Sequence, residues 1–105
     1  IMVEKQEALL TFQGILRFQI LHELREQRLC GDDLAQILGE KKEKKLTPGT
    51  IYPALKFLRK KKLVKHRKYG RKKIYTMTEK GEEEYQKIRE EFTYLYKHLI
   101  KTSKK

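Results

Sequence analysis

The sequence predicts a mostly α-helical domain that carries one β-hairpin. Apolar residues recur at helical spacing through three segments, a Tyr-Gly-Arg turn separates two short strand-like runs, and an acidic-headed helical pattern closes the chain. At 105 residues there is room for one core, not for a catalytic domain beside a binding domain. Charged residues make up 38% of the chain, but an equal hydrophobic share in clear periodicity predicts a folded protein rather than a disordered one.

The first helix is predicted from Glu4 to Arg28, with apolar residues at Leu9, Phe12 and Leu16 and at Leu10, Ile20, Leu21 and Leu24. Ile15 and Phe18 widen this coverage beyond one stripe, so one face is expected to pack internally and another against a partner. Gly31 then punctuates the chain. Asp32 and Asp33 suit the electropositive start of a short helix with Leu34, Ile37 and Leu38 on its apolar face, ending near Gly39. Past the basic connector Lys41 to Lys45, Thr47 is placed to cap a third helix and Pro48 to sit in its first turn. That helix runs to about Lys61, with Ile51, Leu55 and Leu58 inside and Tyr52, Lys56, Arg59 and Lys60 outside. Pro53 cannot donate to the Gly49 carbonyl, which predicts a bend or a tightened turn. Leu63 to Lys68 and Lys72 to Met77 read as strands around Tyr69-Gly70-Arg71, with Gly70 at positive φ and Tyr75 and Met77 alternating into the core. Thr78 precedes a last helix whose Glu82, Glu83 and Glu84 suit its N-terminal dipole. In it, Tyr85, Ile88, Phe92, Leu95 and Leu99 form a short heptad seam.

This order of elements is a winged helix-turn-helix, in which the third helix enters the major groove and the hairpin reaches neighbouring backbone or minor groove. The charge distribution agrees. The formal charge is +12, and the stretch from Lys56 to Lys73 holds Lys56, Arg59, Lys60, Lys61, Lys62, Lys65, Arg67, Lys68, Arg71, Lys72 and Lys73 with no acidic residue. Thr47, Thr50 and Tyr52 offer hydroxyls for phosphate, Lys56 and Arg59 are placed to reach backbone or base edges, and Lys60 is expected as a further DNA contact. Lys65, Arg67, Lys68, Arg71, Lys72 and Lys73 supply the basic wing, with His66 among them. A dimer interface is expected from Phe12, Leu16, Ile88, Phe92, Leu95 and Leu99, because a lone domain reads too few base pairs to discriminate well. Residues 1–78 then form the DNA-binding unit, and 79–105 the dimerisation helix with a basic tail.

Other chemistries find little support. His22, His66 and His98 have no metal-ligand spacing to one another or to Cys30, the only cysteine, which reads as a small buried thiol; no metal or cofactor is expected. There is no Ser-His-Asp set or Gly-rich phosphate loop, and the three successive glutamates point around a helix, so an enzyme is not expected. No apolar run approaches a membrane span and Ile1 to Leu10 lacks the order of a signal peptide, which predicts a cytoplasmic protein without membrane attachment. A winged-helix RNA-binding or ribosome-associated protein, and a winged-helix protein-interaction module, are the alternatives to a DNA-binding regulator.

The run Leu46-Thr47-Pro48-Gly49-Thr50-Ile51-Tyr52-Pro53-Ala54-Leu55, followed by Leu58, Leu63 and Val64, resembles the reading-helix signature of PadR-like regulators. The resemblance continues through Arg71, Tyr75, Met77 and Thr78-Glu79-Lys80-Gly81, begins earlier at Gly31 and Leu34, and covers about residues 15 to 92. It implies a homodimeric winged-helix transcription factor, often a repressor; such a dimer is expected to read an inverted repeat in double-stranded DNA. In that family the first and last helices make the dimer and sometimes border a cavity for a small-molecule effector. Two departures stand out: Asp32 replaces a frequent aromatic, and Lys62 a frequent glycine. A left-handed lysine costs roughly 1 kcal/mol that glycine avoids, so the exit of the third helix is expected to differ. With no Trp in the chain, Tyr94, Tyr96 and Phe18 are weak substitutes for a flat aromatic ligand sandwich.

Overall fold

Residues 11–41 and 46–103 are described by the computed structural model, with side chains described as far as Leu99. In chain order they form α1 (Phe12–Glu26), α2 (Gly31–Lys41), α3 (Pro48–Lys60), β1 (Val64–Tyr69), β2 (Lys72–Met77) and α4 (Glu79–Ser103). The part of the first helix expected from Glu4 through Leu10, and the connector after Lys41, lie outside the described residues.

The Thr11 hydroxyl caps α1 by accepting from the Gly14 N–H at 3.0 Å. One face of α1 buries Leu16, Ile20, Leu21 and Leu24 in the core. Leu16, expected at the partner interface, is therefore corrected: spaced by four from Ile20 and again from Leu24, it shares their inward face and has no exposed surface. Asp33 accepts from the Cys30 backbone N–H at the head of α2. Hydrogen bonds from the Cys30 thiol and then its backbone hold the Asp33 carboxyl below the usual carboxylate range, with Lys72 adding to the effect. The helix continues past Gly39 to Lys41, whose ammonium pairs with Glu23, the buried carboxylate of α1.

Thr47 occupies the N-cap of α3, but its side chain makes no capping bond and instead lies 3.4 Å from the Thr50 hydroxyl. Pro48 opens the helix as expected. The first turn is tightened, the Thr47 carbonyl accepting from both Thr50 N–H (3.0 Å) and Ile51 N–H (3.3 Å), and the helix runs on through Pro53. At the other end the expectation of a different exit is overturned. Lys62 takes φ +64°, its N–H donates to Arg59 at 2.9 Å and the Leu63 N–H donates to Leu58 at 2.9 Å, the left-handed helix stop usually built on glycine.

What holds a lysine there is the next junction. The Thr78 hydroxyl shares its hydrogen between the carbonyls of Lys62 (2.8 Å) and Leu63 (3.1 Å), while the Thr78 N–H donates to Leu63 at 3.1 Å. The same hydroxyl oxygen accepts from the Gly81 N–H at 3.0 Å and so caps α4. A Cβ on Gly81 would fall 2.0 Å from the Leu63 carbonyl oxygen, so only glycine allows this approach.

The hairpin pairs Val64 with Met77 through to Tyr69 with Lys72 in antiparallel register, and Gly70 takes φ +61° in its two-residue turn. Leu29 adds a one-residue third strand that the sequence reading did not include: its N–H donates to the Tyr75 carbonyl at 3.3 Å, and its carbonyl accepts from the Tyr75 N–H at 2.8 Å. Tyr75 is buried, and Met77 is half-buried against the core.

The opening turns of α4 belong to this core. Tyr85 is buried, stacks on Phe18 at 5.0 Å and shares a 2.6 Å hydrogen bond with His22 Nδ1. Glu82 does more than sit on the helix dipole: it takes two hydrogen bonds from Arg25 of α1, at 2.9 and 3.2 Å. Phe92 packs 4.9 Å from Phe18, and Ile88 rests against the core, so these two seam residues are partly occupied within the protomer and Phe18 is engaged between two rings. Farther along, Leu95 is half-buried and Tyr94, Tyr96 and Leu99 are exposed.

Replacing Lys62 by glycine relieves the left-handed strain and is expected to stabilise the domain by about 0.5–1 kcal/mol, part of the gain being offset by the freer unfolded chain. Urea denaturation checks this, and an unchanged or lower midpoint would show that the lysine is not strained.

Candidate nucleic-acid interface

The inner side of α3 is set by Ile51, Ala54, Leu55 and Leu58, all buried. At 3.6 residues per turn the opposite side must then carry Gly49, Tyr52, Pro53, Lys56, Arg59 and Lys60, and each of these is exposed. Of the other predicted contacts on this helix, Thr47 is exposed at its head, whereas Thr50 lies off the stripe and is half-buried.

Strand alternation divides the hairpin. Directly paired residues share a face, so Val64, His66, Lys68, Lys73, Tyr75 and Met77 lie on one side, and Lys65, Arg67, Tyr69, Lys72, Ile74 and Thr76 on the other. The first side carries the buried Val64 and Tyr75 and turns toward α3. Burial, then the positive fields of Arg59 and Lys73, push the His66 imidazole below its ordinary range. Burial raises the Tyr75 phenol, against the lowering effect of Arg59 and with a raising contribution from Tyr52. His66 stacks on Tyr75 at 5.2 Å and is half-buried.

Arg59 of α3 and Lys73 of the wing thus both act on His66. Arg71, Lys72 and Lys73 border a notch of about 210 Å³ with Cys30, Asp32 and Tyr52. Lys65 and Arg67 are not part of that group; they line a separate cleft of about 580 Å³ with Arg28 and Tyr69. All eleven cations between Lys56 and Lys73 are exposed, and none forms a salt bridge among the described residues.

Three residues of this surface escaped the sequence reading. Arg28 and Tyr69 carry no motif and are assigned only by the fold. Gly31 was read as punctuation, but a Cβ there would lie 2.7 Å from Tyr52 Cε1 and 2.8 Å from Cζ, so the bare backbone of α2 is the bed on which the exposed Tyr52 ring lies. The signal was present in the resemblance, which spans both residues. Asp32, the departure from the usual aromatic, places a carboxylate beside three wing cations in the notch.

A scan against family models matches residues 20–87 to the transcriptional regulator PadR-like family, well over half of the chain. The chain belongs to that family. Its members are transcriptional regulators rather than enzymes, and the basic stripe and wing lie within the matched segment. Among solved structures, a PadR-like transcriptional regulator from Bacillus cereus superposes with a TM-score of 0.79 at 21% identity, over 94% of this chain and 98% of its own. A PadR family transcription regulator from Clostridium difficile gives 0.73 at 22% identity, over 85% and 98%. Bacillus subtilis PadR, crystallised in complex with operator DNA, gives 0.61 at 30% identity, over 70% of this chain and 45% of its own. No curated protein sequence matches. These superpositions agree with the winged-helix architecture and the long last helix. Among the described residues no group of three His, Cys, Asp or Glu is arranged to hold a metal, and no helix is long and apolar enough to cross a membrane.

In this PadR-like chain the contact between Gly31 and Tyr52 is separable by a double-mutant cycle. Gly31→Ala is expected to cost about 1–3 kcal/mol of stability by overpacking, and most of that loss should vanish in a Tyr52→Ala background. Additive losses in denaturation experiments would show that the ring does not bear on Gly31.

Proposed function

We propose that the chain is a homodimeric repressor that reads an inverted repeat in double-stranded DNA with α3 and holds neighbouring backbone with its wing. The observation that carries this reading is the exposed stripe Tyr52, Lys56, Arg59 and Lys60, whose cations form no salt bridge among the described residues, beside Lys68, Arg71 and Lys73 of the wing, which form none either. A helix that presents such a stripe fits the major groove, with Lys56 and Arg59 able to meet guanine edges or phosphates. Thr47 and Tyr52 then supply phosphate hydroxyls, and Thr50 stands behind Thr47 as its hydrogen-bond neighbour. Operator DNA in the related Bacillus subtilis complex supports the same partner here. Bound at a promoter, such a dimer represses by occupancy, and it acts in the cytoplasm where that DNA is.

The dimer is assigned to the exposed apolar residues Phe12 and Leu99, to Leu95, and to the outward sides of Ile88 and Phe92. Tyr94 and Tyr96 extend that surface. A small-molecule effector has a place between α1, the end of α3 and α4, in a cleft of about 420 Å³ floored by Leu21, Phe57, Leu58 and Ile88. Arg17 lies over the Phe57 ring at 3.6 Å on its wall. A compound that binds there would be recognised by a change in operator affinity, and one that binds without such a change is no effector.

Affinity selection from random duplex DNA tests the central reading, an inverted repeat being the expected product. On the selected duplex, affinity should fall about 10³-fold between 50 and 200 mM salt if roughly six phosphates are neutralised. Lys56→Ala or Arg59→Ala should alter the selected bases, and Lys68→Ala should weaken all duplexes alike. A flat salt response, or preferential binding of structured RNA, would remove the proposal.

Leu95→Lys probes the assembly. A charge placed in the contact costs on the order of 3 kcal/mol, roughly a hundredfold in dimer dissociation. The variant should sediment as a monomer with its helical signal intact and lose affinity for the full repeat far more than for one half-site. A variant that stays dimeric with unchanged operator affinity would move the interface off α4.

A further inference from the structure

The wing carries cations on both faces, and only one of those faces turns toward α3. Lys68 and Lys73 share the face of His66 and Tyr75, which feels the field of Arg59. Lys65 and Arg67 alternate with them and emerge on the opposite face, directly across from Thr76 and Ile74. Leu29 pairs with Tyr75, so Arg28, one residue earlier, projects to that opposite face as well. The result is a cleft of about 580 Å³, with Arg28 beyond β2 on one bank, Lys65 and Arg67 on the other, and Tyr69, Ile74 and Thr76 between them; His66 and Met77, of the core-side set, also border it. None of its lining residues is acidic, and Arg28, Lys65 and Arg67 form no salt bridge among the described residues. Tyr69 is half exposed near the tip of the cleft.

A duplex seated on α3 meets the wing from the α3 side. The phosphates it brings to Lys68 and Lys73 lie across the thickness of the sheet from Lys65 and Arg67, so one straight segment of DNA does not serve both sets. We propose that the outward cleft of Arg28, Lys65, Arg67 and Tyr69 is a second backbone-binding surface, occupied by the sugar–phosphate backbone of the duplex flanking the operator half-site. Charge complementarity selects this occupant: opposed cation banks about a shallow, partly apolar floor suit a linear polyanion with a sugar face. To enter it the flanking duplex bends around the wing, so that contacts on the outward face offset the bending energy. Arg28, which lies outside the basic run of residues 56–73, then becomes a DNA contact, and the footprint extends beyond the bases read by α3.

This inference rests on the DNA-binding reading, and the experiment separates the two. Affinity and its salt dependence are measured for a duplex holding only the selected repeat and for one lengthened by roughly one helical turn, about 10 base pairs, at each end. For the wild-type protein the longer duplex is expected to bind at least tenfold tighter, with the log–log salt slope steeper by about two to three for each cleft engaged. In the variant carrying Arg28→Gln, Lys65→Gln and Arg67→Gln that gain should disappear, whatever the variant's affinity for the short duplex. All three side chains are exposed and should be replaced without unfolding the domain, which circular dichroism verifies. A wild-type protein that gains nothing on lengthening, or a triple variant that keeps the gain, overturns the second surface while leaving the primary reading intact. Failure of the wild-type protein to bind either duplex overturns both.

Discussion

The hydroxyl of Thr78 is the hinge pin of this domain. It donates into the carbonyls that end α3 and accepts from the amide that begins α4, while the Thr78 amide adds a further bond to the Leu63 carbonyl. Three elements are thereby fixed to one another over a few ångströms. The helix with the basic stripe stops there, both strands of the wing have their core-side ends there, and the long helix starts there. Gly81 completes the junction, because the close approach of α4 to Leu63 leaves no space for a side chain. A lysine held at positive φ is tolerated at such a point since the surrounding bonds over-determine the backbone.

That junction also marks the limit of what the chain reveals on inspection. Periodicity shows α3 plainly, because Ile51, Leu55 and Leu58 leave one inward direction, and the turn chemistry of Gly70 shows the hairpin. The owner of an apolar face is harder to read. Leu16 and Tyr85 are spaced to suit either a partner or the protomer's own core, and only the position of α1 against α4 decides for the core. Lys62 misled in the opposite sense: local cost argued for a different exit, and bonds from a residue sixteen positions later retain the left-handed one. Leu29 has a single residue of strand, too short for any periodic signal. Gly31 and Tyr52 are far apart in sequence, so their contact has no local trace.

The basic surface is legible as composition but not as geometry. Eleven exposed cations within eighteen positions repel one another across a small domain, and a polyanion relieves that repulsion. Alternation along β1 then sends successive cations to opposite sides, a consequence of strand geometry that a linear charge count hides. The basic run is therefore not one patch. It is a stripe on α3 joined to one side of the wing, a notch at the wing tip shared with Asp32, and a cleft on the far side shared with Arg28.

The helix α4 resolves a conflict that follows from having only one core. Its first turns must hold the wing and α3 in a fixed relation, which uses Tyr85 against Phe18 and His22 and draws Glu82 onto Arg25. Its later turns are free of that duty and leave Tyr94, Tyr96 and Leu99 in solvent. A single uninterrupted helix joins these two halves, and a hydrogen-bonded backbone rising about 1.5 Å per residue transmits position more rigidly than a loop would. Whatever pairs with the outer half therefore sets the location of the basic stripe through Thr78 and Gly81 rather than through a flexible linker. In the proposed two-fold assembly built on that half, the separation of the two α3 stripes would follow from the length and tilt of α4, so that operator spacing would be set by a helix outside the proposed reading surface.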